Sequence, residues 1–343
     1  MKIAVMASPV TPLRPAQPGG AQAMVCDLAT GLARRGHDVE LYCAEGSEVP
    51  GARLVTVPLP QDAERALVMP LGAVPPPSPG VARAIRLMLD AIAARAPDVI
   101  SQHAFDAPAF DGSHGLPILH TLHMPPLVPA VVAAAGATEA RSLATVSNSC
   151  LAAWREAGVE VGQVLRNGVE DNAEIHVDAP ERMALVAGRI SPEKGIEDAI
   201  AAARATGLPV RLAGAHYDPG YEVDLRGVEV LGLLTRADLR QVMARSAVTI
   251  CAVRWEEPFG LVAAEAQMAG CPVAAYRRGA MPEVIEEGVS GYLAAPDDTR
   301  ELADAIERCL TLGRGEVRAS ARRRLGLEGA LDGYERALAE VAP

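Results

Sequence analysis

Aromatic side chains are scarce in this chain: Phe, Trp and Tyr together make up 3% of its 343 residues, whereas half of the residues are apolar. The chain can therefore bury a large core, but it must build that core mainly from aliphatic side chains and alanine. Such a composition favours helices that pack closely on sheets. At this length two domains are expected, because single hydrophobic cores stop growing at roughly 250–300 residues.

Long apolar runs are also missing. No run is long enough to span a membrane, and the chain enters a predicted strand at residues 2–6 without a signal peptide. The six cysteines show no CxxC spacing and lie in apolar contexts, which is typical of reduced core residues and not of a disulfide framework or a zinc site. We therefore expect a soluble, cytoplasmic protein. The composition, rich in Ala, Arg and Gly, indicates a bacterial source.

Clusters of positive charge are absent as well. The formal net charge is −11, and a protein that binds nucleic acid usually carries a basic face instead. Docking on anionic lipid would also need a basic cluster. We therefore expect neither a nucleic-acid partner nor a membrane partner. The sequence leaves the oligomeric state open, a homodimer included.

Several catalytic signatures are missing too. The sequence contains no evident Ser-His-Asp set, zinc-ligand spacing, Walker loop or Asp-x-Asp pair. It also lacks a GxGxxG motif directly after the first strand, which disfavours a dinucleotide-dependent oxidoreductase.

Short apolar runs alternate with helical patterns along the chain, which predicts an α/β fold with parallel sheets covered on both faces. Strands are predicted at residues 3–7, 39–43, 54–57, 99–102, 118–122, 143–146 and 163–165, and again at 183–187, 210–213, 228–231, 248–253, 273–276 and 292–294. Helices are predicted at 22–35, 82–94, 196–205, 237–245, 259–269 and 299–312, with a Pro-rich loop at 69–80 and helices in the C-terminal segment.

The alternation pauses at residues 170–182, a polar and irregular stretch typical of a linker. We therefore predict one Rossmann-like domain over residues 1–170 and a second over residues 171–325, with a cleft between them. Ligands in open α/β sheets bind beyond the carboxyl ends of the strands. Several candidate residues lie at such ends, so we consider them together.

A Pro-Phe-Gly corner follows the buried strand predicted at 248–253. Pro258 is favoured at a helix start because its missing N–H needs no acceptor there. The amides of Phe259, Gly260 and Leu261 would then point out of the helix N-terminus, where anions bind readily.

Two glutamates flank this corner. Glu257 lies just before the predicted helix and Glu265 about two turns inside it, which separates them by on the order of 10 Å. A nucleoside diphosphate sugar presents hydroxyls on its sugar and its ribose over a comparable distance. The alternative for Glu257 is a surface glutamate that only stabilises the helix start. Because the helix around Glu265 is apolar, that carboxylate is predicted to line a cleft.

Two cations, Arg189 and Lys194, follow the first strand of the second domain at the entry to a helix. A lysine at this position opposes the helix dipole unless an anion is bound. A diphosphate would satisfy both cations, with a forked contact from the arginine. The alternative is that Lys194 reaches into solvent and pairs with Glu193 or Glu197.

Two glycine-containing turns are weaker candidates. Gly19 and Gly20 precede the first long helix and would let its backbone approach a phosphate, although a plain loop is the common alternative. Leu231 and Gly232 end a predicted strand, where main-chain groups could receive a nucleobase.

Histidines follow two strands of the first domain. His123 ends a strand before Pro125 and is placed to reach the cleft, although a structural histidine is the alternative. Side chains alternate along a strand, so His120 and His123 should face opposite ways and not share a metal. His103 is a second histidine at a strand end, with less support.

Taken together, these residues resemble the retaining glycosyltransferases of family 4 (group 1), which have the GT-B fold. The likeness extends nearly end to end, and its most specific element is the interval from Glu257 to Glu265 with Pro-Phe-Gly-Leu between them. The resemblance implies two Rossmann-like domains that face each other across a deep cleft. The first would bind the acceptor and the second the donor, and a C-terminal helix at 326–343 would pack back on the first domain.

The resemblance also implies an activity: transfer of a sugar from a nucleotide sugar to an acceptor hydroxyl, with retention at the anomeric carbon and without a metal or other cofactor. Arg189 and Lys194 would neutralise the leaving diphosphate, Glu257 would hold the donor sugar, and His123 would contact it near the reacting carbon. Glu265 would bind the ribose. The implied donor-binding set is Gly19, Gly20, Gly188, Leu231, Gly232, Phe259, Gly260, Leu261 and Glu265.

With this resemblance, a UDP-sugar is the favoured donor and a GDP-sugar the less favoured one. A soluble small-molecule or glycoside acceptor is favoured because the first domain lacks a basic surface. The sequence itself does not distinguish the nucleotide base, the sugar, the acceptor or the pathway. One alternative is a sugar-nucleotide epimerase of the same two-domain fold, which would need carboxylates to abstract a proton from the sugar ring. The other is an inactive module that binds a nucleotide sugar, which the complete set of charged motif residues disfavours.

Overall fold

The computed structural model describes residues 1–14, 19–64, 78–111, 115–171, 179–216 and 220–343. The chain forms two compact units, each built around its own sheet. The first unit comprises Met1–Pro15, Ala21–Arg166 and Ala330–Pro343, and the second comprises Ala16–Gly20 and Asn167–Gly329. The sequence places the corresponding boundaries at residues 170/171 and 325/326.

The first unit contains a seven-stranded sheet in the order β3-β2-β1-β4-β5-β6-β7, in which all neighbours are parallel. Its strands are β1 (Lys2–Met6), β2 (Asp38–Ala44), β3 (Arg53–Val57), β4 (Val99–Gln102), β5 (Ile118–Leu122), β6 (Leu143–Thr145) and β7 (Gln163–Val164). Its helices include α1 (Gly20–Arg34), α2 (Pro79–Arg95), α3 (Pro108–Asp111), α4 (Pro129–Gly136) and α5 (Asn148–Glu156).

The second unit contains a six-stranded parallel sheet in the order β10-β9-β8-β11-β12-β13. Its strands are β8 (Glu181–Ala187), β9 (Val210–Ala213), β10 (Val228–Gly232), β11 (Ser246–Cys251), β12 (Val273–Tyr276) and β13 (Gly291–Ala294). The helices are α6 (Ile196–Ala205), α7 (Arg236–Arg245), α8 (Leu261–Met268), α9 (Met281–Val284), α10 (Thr299–Cys309) and α11 (Arg314–Leu325). Both sheets have the strand order of doubly wound nucleotide-binding folds, so the predicted pair of Rossmann-like units is confirmed.

Small side chains form much of the second core, as the shortage of aromatic residues predicts. The buried alanines of this core come from strands and helices alike: Ala184, Ala199, Ala202, Ala203, Ala274, Ala294 and Ala305. Because alanine adds little thickness, α6 and α10 can lie close to the sheet and to each other. The six cysteines are free thiols, and five of them are buried, as expected for core residues.

The C-terminal helix α12 (Leu327–Val341) belongs to the first unit from Ala330 onward. It packs on α1 at Gly31, where an added Cβ would lie 2.7 Å from a methyl group of Leu331. Arg35 donates to Asp332 at 2.8 Å and to Glu335 at 2.7 Å. A glycine contact and two ion pairs therefore attach this helix to the start of the chain.

Some elements depart from the predicted ones. Strand β8 already begins at Glu181, which the sequence assigns to the linker, whereas residues 172–178 of that linker lie outside the described residues. Residues 69–77 of the predicted Pro-rich loop and Pro18 also lie outside them. The pattern misses α3, α4, α5 and α9. Helix α4 is almost wholly apolar, so no alternation of polar and apolar faces reveals it.

Candidate active site

The candidate residues of the second unit follow the two central strands of its sheet. The chain passes from β8 outward to β9 and β10 and then returns to add β11 on the other side of β8. The strand order therefore reverses between β8 and β11, and ligands in such sheets bind beyond the carboxyl ends of the strands at this point. Arg189 and Lys194 follow β8, and Glu257 follows β11.

Lys194 and Glu257 form an ion pair between these two strand ends. The Nζ of Lys194 donates to Oε2 of Glu257 at 2.8 Å, and the indole N–H of Trp255 donates to the same oxygen at 2.9 Å. The ammonium also lies 5.1 Å from the centre of the Trp255 ring. Lys194 therefore does not pair with Glu193 or Glu197, and that alternative is wrong.

Gly195 explains why Lys194 can reach Glu257. Residues Pro192–Lys194 form one turn of 3-10 helix, and Gly195 follows with φ of +60°, in the left-handed region. A Cβ on Gly195 would lie 1.9 Å from the carbonyl oxygen of Ala252, directly after β11. Only glycine can lie this close to the Ala252 carbonyl. Gly195 therefore holds the turn that carries Lys194 against the end of the neighbouring strand.

Arg189 is held by the same turn. Its guanidinium lies 3.1 Å from Oε1 of Glu193, which also accepts from the hydroxyl of Ser191 at 2.7 Å. Glu193 is buried, with 5% of its surface exposed, so its charge requires these partners. Glu193 therefore positions Arg189, a role that the sequence analysis did not assign.

The two adjacent glutamates have different surroundings. Oε2 of Glu256 accepts from the amide of Gly279 at 2.8 Å, and the backbone carbonyl of Glu257 accepts from the amide of Ala280 at 2.8 Å. Gly279 has φ of +54°, and a Cβ there would lie 2.3 Å from the carbonyl oxygen of Glu257. Glu256 thus stabilises the turn at Gly279, whereas the side chain of Glu257 points toward Lys194.

Helix α8 begins at Leu261, with Gly260 as its N-cap residue in the left-handed conformation at φ of +90°. The prediction that Pro258 opens the helix and that the amide of Phe259 belongs to its first turn is therefore wrong. The cause is Gly260, whose positive φ interrupts the helical backbone between the Pro-Phe-Gly corner and Leu261. A Cβ on Gly260 would also lie 2.1 Å from Met281. The amides of the first helical turn, which begins at Leu261, have no intrahelical acceptor and remain available to an anion.

Glu265 is buried inside α8, and its partners come from the neighbouring helix α7. Its Oε1 accepts from Nε of Arg236 at 3.0 Å and from Nη2 of the same residue at 2.8 Å. Arg240, one turn further along α7, has a guanidinium nitrogen 3.8 Å from this oxygen. Neither arginine was predicted as a site residue, although their four-residue spacing on the helix after Gly232 places them on one face.

The remaining glycines of the second unit shape the strand ends. Gly188 follows β8 with φ of +132°, and its carbonyl oxygen would lie 1.8 Å from a Cβ on Gly214. Gly232 ends β10 with φ of +71°, and its carbonyl accepts from the amide of Gly214 at 2.8 Å. Leu231 precedes it and is partly exposed. Backbone groups thus lie close together across the ends of β8, β9 and β10.

Gly20 is the first residue of α1 and Gly19 precedes it; both are counted with the second unit, whereas the rest of α1 belongs to the first. His123 follows β5, and its Nε2 lies 2.9 Å from Nδ1 of His103, which follows the adjacent strand β4. His120 stacks on Phe110, with ring centres 4.6 Å apart, whereas His123 lies against His103. The sequence did not pair His103 with His123.

Burial keeps these three histidines neutral. It lowers the pKa of His120 to about 3 and that of His123 to about 4. The pKa of His103 lies well below its usual value because of burial and, second, because of the nearby His123. The His103–His123 contact is therefore a hydrogen bond between neutral rings.

Over the described residues, no helix is long and apolar enough to cross a membrane. The same residues contain no group of three or more His, Cys, Asp or Glu side chains arranged to hold a metal ion.

Two family models match nearly the whole chain between them. The model described as glycosyl transferases group 1 matches residues 170–326. The model described as glycosyltransferase family 4 matches residues 18–173. The chain belongs to the group 1 glycosyltransferases of family 4.

Among curated proteins, the chain is similar to the D-inositol 3-phosphate glycosyltransferase of Mycobacterium tuberculosis strain H37Rv, with 32% identity over 168 residues. This match covers 44% of the chain and 35% of the mycobacterial protein. The chain thus spans about a third of the length of the curated relatives that it matches.

Solved structures match over the full length of this glycosyltransferase family member. Anabaena HepE in complex with UDP-glucose matches with a TM-score of 0.76 and 20% identity, covering 99% of this chain and 100% of HepE. AviGT4, a glycosyltransferase involved in avilamycin A biosynthesis, matches with a TM-score of 0.72 and 22% identity, covering 99% and 98%. Sucrose-phosphate synthase from Thermosynechococcus elongatus matches with a TM-score of 0.75 and 19% identity over the same shares. At these identities the likeness establishes the fold.

Proposed function

We propose that the protein moves a sugar from a nucleotide sugar, with a UDP-sugar favoured over a GDP-sugar, to a hydroxyl of a soluble small molecule or glycoside. Family membership supports glycosyl transfer, and the HepE complex supports UDP-glucose as the type of donor. The observation that carries the proposal is the cluster of Arg189, Lys194 and Glu257 beyond β8 and β11.

The charges of this cluster fit a diphosphate. Arg189 lies 3.1 Å from Glu193 and Lys194 lies 2.8 Å from Glu257, so two cations stand close to the ends of neighbouring strands, where a ligand with two phosphates can contact both. As the glycosidic bond to the diphosphate breaks, negative charge develops on the leaving oxygen. Fixed cations stabilise such charge without reorganising, which is the usual source of large rate enhancements. We propose that these cations act without a metal.

Glu257 is suited to hold the hydroxyls of the donor sugar. Its Oε2 is occupied by Lys194 and Trp255, whereas its Oε1 accepts no hydrogen bond from the described residues. A sugar hydroxyl can donate to Oε1 while the other oxygen keeps the carboxylate in place. Glu265, fixed by Arg236, has the corresponding role toward the ribose hydroxyls.

We further propose that the configuration at the anomeric carbon is retained. The bond from this carbon to the diphosphate oxygen breaks, and the bond to the acceptor oxygen forms on the same face of the ring. The acceptor proton passes to the departing phosphate oxygen. Because the acceptor oxygen attacks the anomeric carbon directly, no covalent bond to a protein nucleophile forms. The preference for a soluble acceptor rests on the lack of a basic cluster in the sequence of the first domain.

A panel of nucleotide sugars tests this function. Purified protein is incubated with UDP- and GDP-linked hexoses, with and without EDTA, and both the rise in melting temperature and the release of the free nucleoside diphosphate are measured. We expect one UDP-sugar to stabilise the protein and to be slowly hydrolysed in the absence of acceptor, with or without EDTA. Conversion of the donor to a second nucleotide sugar without release of UDP would indicate an epimerase instead. Stabilisation by none of the donors would overturn the proposal.

A further inference from the structure

A chain of three buried hydrogen-bonding side chains crosses two adjacent strands of the first unit. The hydroxyl of Ser101, on β4, lies 2.9 Å from Nε2 of His103, and Nδ1 of His103 lies 2.9 Å from Nε2 of His123. Ser101 is fully buried, whereas His103 and His123 retain 5% and 7% of their surface. The proposed donor contact of His123 does not by itself account for the other two residues.

The hydrogen-bonded side chains of Ser101, His103 and His123 allow two arrangements of their protons. In the first, the Ser101 hydroxyl donates to Nε2 of His103, and Nδ1–H of His103 donates to Nε2 of His123. In the second, Nε2–H of His123 donates to His103, and Nε2–H of His103 donates to the hydroxyl oxygen of Ser101. Each neutral ring carries one proton, so the two arrangements leave His123 in opposite tautomers.

The buried hydroxyl decides between them. In the second arrangement the Ser101 proton needs another acceptor, and the described residues supply none besides His103. A buried donor without a partner is costly. Tyr334 does not change this balance, because its hydroxyl donates to Thr121 at 3.4 Å although its ring lies 6.0 Å from His103. Among the described residues, the first arrangement satisfies every donor of Ser101 and His103 and leaves only the Nδ1–H of His123 without an acceptor. That group belongs to a ring with 7% of its surface exposed, whereas the Ser101 hydroxyl that the second arrangement leaves without an acceptor is fully buried, so the first arrangement costs less.

We propose that Ser101 and His103 are positioning residues that hold His123 in the tautomer with a proton on Nδ1, so that His123 donates a hydrogen bond to an oxygen of the bound sugar. Nδ1 of His123 has no partner among the described residues, and the ring keeps some exposure. The role of the donated bond rests on the proposed function, whereas the tautomer is a property of the free protein.

Nitrogen NMR of ring-labelled histidine measures the tautomer directly and needs no substrate. We expect the wild-type protein at pH 7.5 to show a protonated Nδ1 and an unprotonated Nε2 for His123. Ser101→Ala removes the deciding donor and should give a mixture of the two tautomers. A wild-type spectrum with the proton on Nε2 of His123, or an unchanged tautomer in Ser101→Ala, would overturn the proposal.

Two substitutions of His103 test the consequence for turnover. His103→Asn keeps an N–H donor near the place of Nδ1, and His103→Leu keeps comparable bulk without a donor. Since a neutral hydrogen bond changes an equilibrium by roughly tenfold, we expect kcat to fall about tenfold in His103→Leu and less in His103→Asn, with KM for the donor little changed. Equal losses in both variants would overturn the positioning role. The predicted tautomer in a protein that transfers no sugar would instead refute the proposed function alone.

Discussion

The charge of Lys194 is the most direct target for mutation. Lys194→Met removes the ammonium and keeps an unbranched stem that can still pack against Trp255. The side chains of Lys194 and Glu257 are only 20% and 13% exposed, so water screens this charge incompletely. A unit charge about 4 Å from a phosphate oxygen contributes about 4 kcal/mol at an effective dielectric constant of about 20.

That estimate agrees with the roughly 100- to 1,000-fold losses in kcat that follow removal of a single group stabilising a developing oxyanion. We therefore expect kcat/KM of Lys194→Met to fall at least about 100-fold, mainly through kcat, because the charge on the diphosphate grows as the bond breaks. The assay is the initial rate of UDP release, with acceptor present, from the donor identified in the panel.

Arg226→Met is the matched control. Arg226 is a cation of the same unit that pairs with Asp224, and its side chain is 90% exposed. The substitution Arg226→Met removes one positive charge, as Lys194→Met does, but it removes that charge from the surface. The activity of the Arg226→Met variant should therefore stay at the wild-type level. If Lys194→Met folds with a wild-type melting temperature and keeps its kcat/KM within threefold of Arg226→Met, the assignment of Lys194 to the diphosphate is refuted.

Three further substitutions test other parts of the account. Glu265→Ala should weaken UDP binding by about tenfold, since a ribose contact is lost; calorimetry that gives an unchanged affinity would contradict the ribose role. Gly195→Ala should lower both the melting temperature and activity, because its Cβ would lie 1.9 Å from the Ala252 oxygen; a fully active variant would contradict that close approach. His120→Phe keeps the stacking on Phe110 and removes a group whose pKa burial lowers to about 3. The free energy of unfolding of the wild type, measured in urea titrations, should therefore be full above about pH 6.5 and fall as the pH drops toward 3. Over this range the free energy of unfolding of the variant should fall by up to about 1.4 kcal/mol less per pH unit. Identical pH slopes for the two proteins would contradict the buried neutral state of His120.

The sheets were predictable because parallel strands that are covered on both faces appear as short continuous apolar runs. Residues 99–102, 118–122, 210–213 and 273–276 are strands at the predicted bounds. The start of α8 was not predictable in the same way. Its position depends on the left-handed backbone of Gly260, where Met281 from another helix leaves no room for a Cβ.

The site residues were predictable one at a time but not in pairs. Strand-end positions pointed to Arg189, Lys194 and Glu257, yet their partners are fixed by tertiary contacts between loops. The pairing of Lys194 with Glu257 depends on Gly195 lying against Ala252, and that of Glu265 with Arg236 depends on the packing of α8 beside α7. Similarly, His103 meets His123 only because β4 and β5 are neighbours in the sheet.

The central claim is that Arg189 and Lys194 receive the diphosphate of a nucleotide sugar. Isothermal titration calorimetry of UDP and UMP, with the wild-type protein and with the double variant Arg189→Met/Lys194→Met, tests it most directly. We predict that the wild type binds UDP at least about tenfold more tightly than UMP, and that the double variant loses this preference while still binding UMP. Equal affinity of the wild type for UDP and UMP, or an unchanged preference in the double variant, would contradict the account.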